Sequence, residues 1–298
     1  MPRNDEGSEA PQGSELKLSR AKAKKQTRGK PLFRGFPWLW LSVGLLAVGF
    51  ACFMIISHSL QLISSPVPEG TRAAIVDQLY SNYPDEDFTT KVTEDLEGFG
   101  FKVDVYQGDD VTVDLYRNLP IYDYQLIIFR AHSGAISPNP EGDVAPTTGT
   151  YLFTNEPFNR MKYTRERLAD ELSPAYVEKG DPVYFVIGPK FITHSMNGDF
   201  NNTVVIVDGC SCLHFDDLAQ AFTSKGASCY LAWDHSVELD YVDEATTSLV
   251  ENLCSKGLPA KEAVDHTMAT IGPDPEWGAV LKYYPAQSAD KTLQELIQ

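Results

Sequence analysis

Basic charge is what this 298-residue sequence has least of: 25 Lys and Arg stand against 41 Asp and Glu, a formal net charge of −16. A surface of that sign lacks the basic footprint that phosphate backbones require, which argues against nucleic acid as a partner. Cysteine is sparse as well. Five scattered cysteines are too few for a disulfide scaffold, and an odd number leaves one thiol free in any pairing. No Gly-rich phosphate loop follows an apolar run, so nucleotide binding has no motif. There is no internal repeat, and no pattern calls for a cofactor.

Charge of either sign disappears between Arg34 and Glu69. Within that gap residues 36–56 read FPWLWLSVGLLAVGFACFMII, close to the roughly 20 apolar residues that cross a bilayer's hydrocarbon. Trp38 and Trp40 sit at one end, where indoles favour the membrane interface. We read residues 36–57 as a transmembrane helix. A cleaved signal peptide has a shorter apolar region of about 7–15 residues, but the small residues at 57–65 leave cleavage open. Before the span, nine Lys and Arg against four acids give residues 1–36 a local +5, which leaves −21 for the remaining 262. The positive-inside rule then keeps the basic, disordered tail of residues 1–35 cytoplasmic and puts everything beyond the span outside the cytoplasm. Residues 58–72, with Pro66 and Pro68, read as a linker.

From residue 73 onward strands and helices alternate, the pattern of an α/β domain with a mainly parallel sheet, right-handed crossovers and flanking helices. Residues 73–79 and 102–106 are strand candidates. Residues 124–131 (YQLIIFRA), 203–208 (TVVIVD) and 227–233 (ASCYLAW) are dense in Val, Ile, Leu and aromatics, as strands buried on both faces should be. Helices fit residues 88–96, 111–118, 215–224, 243–256 and 260–270. The domain spans residues 73–298. Regularity fails at about 133–202, where residues 133–149 look like a long loop at the mouth of the sheet, with a short strand at 151–154, a helix at 165–172 and a strand at 183–187.

Ligands of such sheets bind beyond the carboxyl ends of the strands. The run 124–131 ends in His132, Ser133 and Gly134, and the run 203–208 in Gly209 and Cys210. If the two strands are neighbours, an imidazole and a thiol leave the same edge side by side, the pairing a cysteine nucleophile needs.

The motifs LIIFRAHSG and VVIVDGCSC, in that order, together with residues 226–264 containing Trp233-Asp234, resemble the caspase-like superfamily of cysteine peptidases, which includes caspases, legumains, gingipains, separases and CHAT domains. The similarity covers about residues 73–271. It implies a three-layer caspase-like fold and hydrolysis of peptide bonds through a thioester, with Cys210 as nucleophile and His132 as general acid/base. The amides of Gly134 and Cys210 would be the oxyanion donors, and a peptide or protein the substrate. The chain departs from the usual pattern after the cysteine, where Ser211, Cys212 and Leu213 replace a small residue and Gly.

Other readings of these residues stay open. Asp234 and His235, after Trp233, should reach the same edge and could line a substrate pocket, with Asp234 facing a basic side chain; Asp208 could orient His132 or only close its strand. Cys210, Cys212 and His214 form a Cys-x-Cys-x-His run, but zinc sites space their cysteines more widely and need a fourth ligand, so no metal is expected. A Cys210–Cys212 disulfide would abolish nucleophilicity. A catalytically silent binding or scaffold domain on the outer face is the alternative to a peptidase, and a thiol hydrolase of non-peptide amides would read identically.

Overall fold

The computed structural model describes residues 70–136 and 149–298. The tail at 1–35, the apolar span at 36–57 and nearly all of the linker at 58–72 lie outside the described residues. Among those described, no helix is long and apolar enough to cross a membrane.

Six strands form the main sheet: β1 (Arg72–Asp77), β2 (Lys102–Gln107), β3 (Leu126–Arg130), β8 (Thr203–Asp208), β9 (Ala227–Trp233) and β10 (Leu281–Tyr284). Their order is β10-β9-β8-β3-β1-β2, all parallel except β10, which runs antiparallel to β9. The expectation of a mainly parallel α/β sheet flanked by helices holds. The reason is in the runs themselves. Side chains alternate across a strand, so Ala73, Ile75, Leu126, Ile128, Val204 and Ile206 enter one apolar layer while Ala74, Val76, Ile127, Phe129, Val205 and Val207 enter the other. A continuous apolar run can fill both layers at once.

The first layer is closed by helices α1 (Glu86–Phe99), α5 (Leu239–Cys254) and α6 (Ala260–Ile271), with the short α7 (Leu293–Leu296). Helix α1 begins where the Asp85 side chain accepts the Phe88 N–H at 2.8 Å and ends at Gly100, whose φ of 116° only glycine adopts easily. The second layer is closed by α2 (Val113–Asn118) and α4 (Asp217–Ser224), and also by a second sheet.

That second sheet is where the structure departs from the sequence reading. Among the described residues of 133–187 are four antiparallel strands, β4 (Ser133–Ile136), β5 (Gly149–Pro157), β6 (Leu172–Ala175) and β7 (Tyr184–Ile187), in the order β4-β5-β7-β6. The helix expected at 165–172 is cut to α3 (Thr164–Leu168), because Asp170 takes a left-handed φ of 55° and turns the chain. Leu172 then enters β6 and is buried beside Phe185 and Ile187. Its apolar partner is a strand across the sheet, so tertiary packing overrides the local helical signal.

Candidate active site

Strands β3 and β8 are adjacent and parallel, paired from Leu126↔Val204 to Arg130↔Asp208. His132 and Cys210 each lie two residues beyond the last register pair, so both leave the carboxyl edge at the same level. The Ala131 N–H donates to the Asp208 carbonyl at 3.1 Å as a last rung, and Ser133 Oγ donates to the Cys210 carbonyl at 2.9 Å. Between them Gly209 has no room for a side chain: a Cβ would stand 2.5 Å from both the Ala131 carbonyl and Ser133 Oγ. Gly209→Ala must therefore push the two strand ends apart. We expect a cost of about 1–3 kcal/mol and slowed modification of Cys210, read as a lower thermal midpoint together with slower thiol alkylation.

The cysteine loop is pinned from the other side. Ser211, at a left-handed φ of 56°, donates its N–H to the His235 carbonyl at 2.9 Å, and the Leu213 N–H reaches the Trp233 carbonyl at 2.8 Å. A non-glycine residue in that conformation persists only where its surroundings over-determine it. His132 is framed by β1 and β5. Its backbone N–H donates to Gln78 Oε1 at 2.9 Å, Gln78 Nε2 donates to Asn155 Oδ1 at 2.6 Å, and Asn155 Nδ2 returns to the Gln78 carbonyl at 2.8 Å. The imidazole meets Tyr83 and Phe153 edge-on, at 5.9 and 6.1 Å between ring centres.

Register decides which amides are free. The Phe153 N–H donates to the His132 carbonyl at 3.0 Å, and Ser133 pairs with Leu152 and Gly134 with Tyr151. Antiparallel ladders alternate hydrogen-bonded with non-bonded pairs, so the Gly134 N–H is spent on Tyr151 and the Ser133 N–H points away from β5. The amide that this register turns away from the ladder is therefore that of Ser133, next to the Gly134 amide that the resemblance implied as an oxyanion donor. The Ser133 and Cys210 amides have no acceptor among the described residues, and the two residues touch through the Ser133 hydroxyl.

Cys210 is half-buried, with its Sγ 3.7 Å from the Val237 carbonyl, and no hydrogen bond joins it to the imidazole among the described residues. Burial pushes the thiol above its ordinary pKa, and a backbone hydrogen bond at Val237 partly offsets this. Burial also holds His132 below the ordinary imidazole value, while Asp181 pulls it up and Arg130 down. Both shifts favour an uncharged thiol and an uncharged imidazole at neutral pH.

Under this edge lies a charged group in the core. Arg130 is fully buried; its Nε and Nη2 bind Asp243 at 2.7 and 2.8 Å, and Nη1 binds Asp77 at 2.9 Å and the Tyr83 carbonyl at 3.0 Å. The single Arg in the apolar run LIIFR signalled this, because a buried guanidinium requires carboxylate partners. Asp208 completes the group with no hydrogen-bond partner for either oxygen, and burial next to Asp243 raises its pKa well above the carboxylate range.

Of the remaining candidates, Asp208 is wholly buried. Asp234 pins the β9–β10 corner, accepting the Val280 N–H at 2.9 Å and pairing with Lys282 at 2.8 Å, so its charge is already met. His235 is exposed, its Nδ1 accepting the Ser236 N–H at 2.9 Å. Cys210 and Cys212 are both free thiols; Cys212 is buried, which pushes its pKa up to about 12. His214 turns to the Asp234 carbonyl at 3.1 Å. Gln78, Asn155 and Ser133 are the site residues that the sequence reading missed. Gln78 carried a weak signal as the residue leaving β1 at the same edge.

The chain matches no protein-family model and no curated protein. Its chemistry rests on the site. What the site offers is a half-buried thiol and an imidazole on neighbouring strand ends, with the Ser133 hydroxyl bonded to the Cys210 carbonyl.

Proposed function

We propose that this chain is a membrane-tethered, extracytoplasmic cysteine peptidase of caspase-like type, using Cys210 as nucleophile and His132 as acid and base. The observation that carries the reading is the arrangement at the ends of β3 and β8: His132 and Cys210 at one level, the Ser133 hydroxyl on the Cys210 carbonyl, and the Ser133 and Cys210 amides without an acceptor among the described residues.

In the first step Sγ attacks the substrate carbonyl carbon while the thiol proton passes to the His132 imidazole. The oxygen, now negative, accepts the N–H groups of Ser133 and Cys210. The carbon–nitrogen bond breaks, the amine leaves with the proton held by His132, and the acyl group remains on sulfur as a thioester. Water then attacks that carbon and gives its proton to His132; the acid leaves, and the returned proton restores the thiol. Each proton transfer of this kind contributes roughly 10²–10⁴-fold. The tether is the apolar span at 36–57, and the basic tail preceding it sets the orientation.

The second reading is a silent binding domain, and the contact of Sγ with the Val237 carbonyl together with the raised thiol pKa favours it. Alkylation of the chain by a thiol-directed electrophile across pH separates the two, with Cys210→Ser and His132→Ala as comparisons. The proposal expects labelling near neutral pH that needs both residues, because a neutral imidazole can take the proton as the sulfur reacts. Labelling that follows only the titration of an unassisted thiol, unchanged in His132→Ala, would sink it.

A further inference from the structure

Beside the imidazole opens a cleft of about 410 Å³, within the range of small-ligand sites, roughly 300–1,000 Å³. Tyr83, Phe153 and Tyr184 supply aromatic walls, Glu178 and Asp181 stand at its rim, and His132 lines it, whereas Cys210 does not. The acids come from one turn, in which the Glu178 N–H donates to Asp181 Oδ2 at 2.9 Å and the Asp181 N–H to the Glu178 carbonyl at 3.0 Å. Among the described residues neither carboxylate is in an ion pair, although most lysines and arginines elsewhere are matched: Arg72 with Asp104, Arg117 with Glu166, Lys162 with Glu156. Lys179, between the two acids in sequence, does not line the cleft. Aromatic faces attract cations through the ring quadrupole, and two unmatched carboxylates add a field of the same preference. An acidic side chain would meet that field as repulsion.

We propose that this cleft is the subsite for a basic side chain, of lysine or arginine type, on the leaving-amine side of the scissile bond. The side of the bond follows from which residue lines the cleft. In the thioester reaction the acyl carbon sits on Cys210 Sγ and the leaving nitrogen faces the proton donor, so the chain beyond that nitrogen runs past His132. This inference deepens the peptidase reading and rests on it for the side of the bond; the preference for a cation rests on the cleft alone.

The test uses the full chain in detergent with Cys210→Ala and titrates argininamide, alaninamide and glutamic acid amide by calorimetry. Argininamide should bind at least tenfold tighter than alaninamide, more weakly as salt rises, and glutamic acid amide weakest. The double variant Glu178→Gln/Asp181→Asn, altered only at exposed positions and checked for an unchanged thermal midpoint, should lose that advantage. Equal binding of argininamide and alaninamide, or binding indifferent to the double variant, would overturn the cationic subsite. In the chain with Cys210 intact, saturating argininamide should leave alkylation by iodoacetamide within about twofold, since the thiol lies outside the cleft. Alkylation blocked by argininamide would overturn the amine-side assignment. Argininamide binding with no reactive Cys210 at all would overturn the peptidase reading, and the assignment with it, while the cation preference stood.

Discussion

Arg130→Met should destabilise the fold by about 3–5 kcal/mol, the cost of leaving a buried charge without its partner. Among the described residues the guanidinium is the one cation in the group it forms with the buried acids Asp77, Asp208 and Asp243, and it satisfies both oxygens of Asp243 and one of Asp77. Methionine fills much of the volume but answers none of the charge, so the buried Asp243 carboxylate loses both of its hydrogen bonds to the guanidinium. In a domain of this size the drop corresponds to a thermal midpoint lower by on the order of 10 °C. Calorimetric melting of the full chain reads it, and a shift under 2 °C would mean that the acids are already neutral without the arginine. The companion variant is Asp208→Asn. Burial raises the Asp208 pKa in the folded chain above its unfolded value, so the folded state holds the proton more tightly. The stability tied to that proton is complete below the unfolded value, about 3.9, and is lost as pH rises through the folded value. An asparagine at this position has no proton to lose, so the variant should gain on the parent chain as pH rises from acid to neutral and differ little near pH 4. A gap that widens toward low pH instead would contradict the assignment of a buried, neutral Asp208.

The two strands that carry the site were legible because their sequences satisfy both faces of the sheet at once. TVVIVD coincides with β8 and the run YQLIIFRA contains β3, and the chemistry at their ends could be placed from neighbourhood alone. Strand β10 was not legible: it is four residues long, holds Lys282, and is a strand only because Trp233 and its neighbours offer it an edge. The second sheet was legible only in part: the strands read at 151–154 and 183–187 fall on β5 and β7, while β4 and β6 are four residues each and become strands only by pairing with them. The identity of the free amide was beyond any local reading. Ser133 and Gly134 are neighbours in sequence, and only the register against Leu152 and Tyr151 decides which N–H the ladder consumes. The basic-subsite acids had no signal either, since nothing in 176–182 says that it folds against His132. Arg130 carried a signal that the sequence reading did not use, a charge inside an apolar strand whose burial calls for a carboxylate partner.

Cys210→Ala is expected to abolish peptide hydrolysis, by at least about 10³-fold in kcat/KM, because the proposed acyl intermediate is held on its sulfur. Cys212 cannot substitute: it is buried, and burial pushes its pKa up to about 12. His132→Ala should cost roughly 10²–10⁴-fold, and the double variant no more than Cys210→Ala alone, since nucleophile and base act as one unit. Additive losses would mean that His132 works elsewhere. The pH profile carries more information than the size of the loss. The reacting form has a protonated thiol and a neutral imidazole, so the acidic limb of kcat/KM follows His132 and the alkaline limb Cys210. Burial lowers the first and raises the second, so the bell should be wider than ordinary side chains give, active below the usual imidazole value of about 6.5 and still active above the usual thiol value of about 8.5. Asp181 opposes the lowering at His132. Asp181→Asn should therefore move the acidic limb to still lower pH and leave the alkaline limb in place. A limb that moves up, or an alkaline limb that moves with it, would show that the imidazole being titrated does not face the cleft.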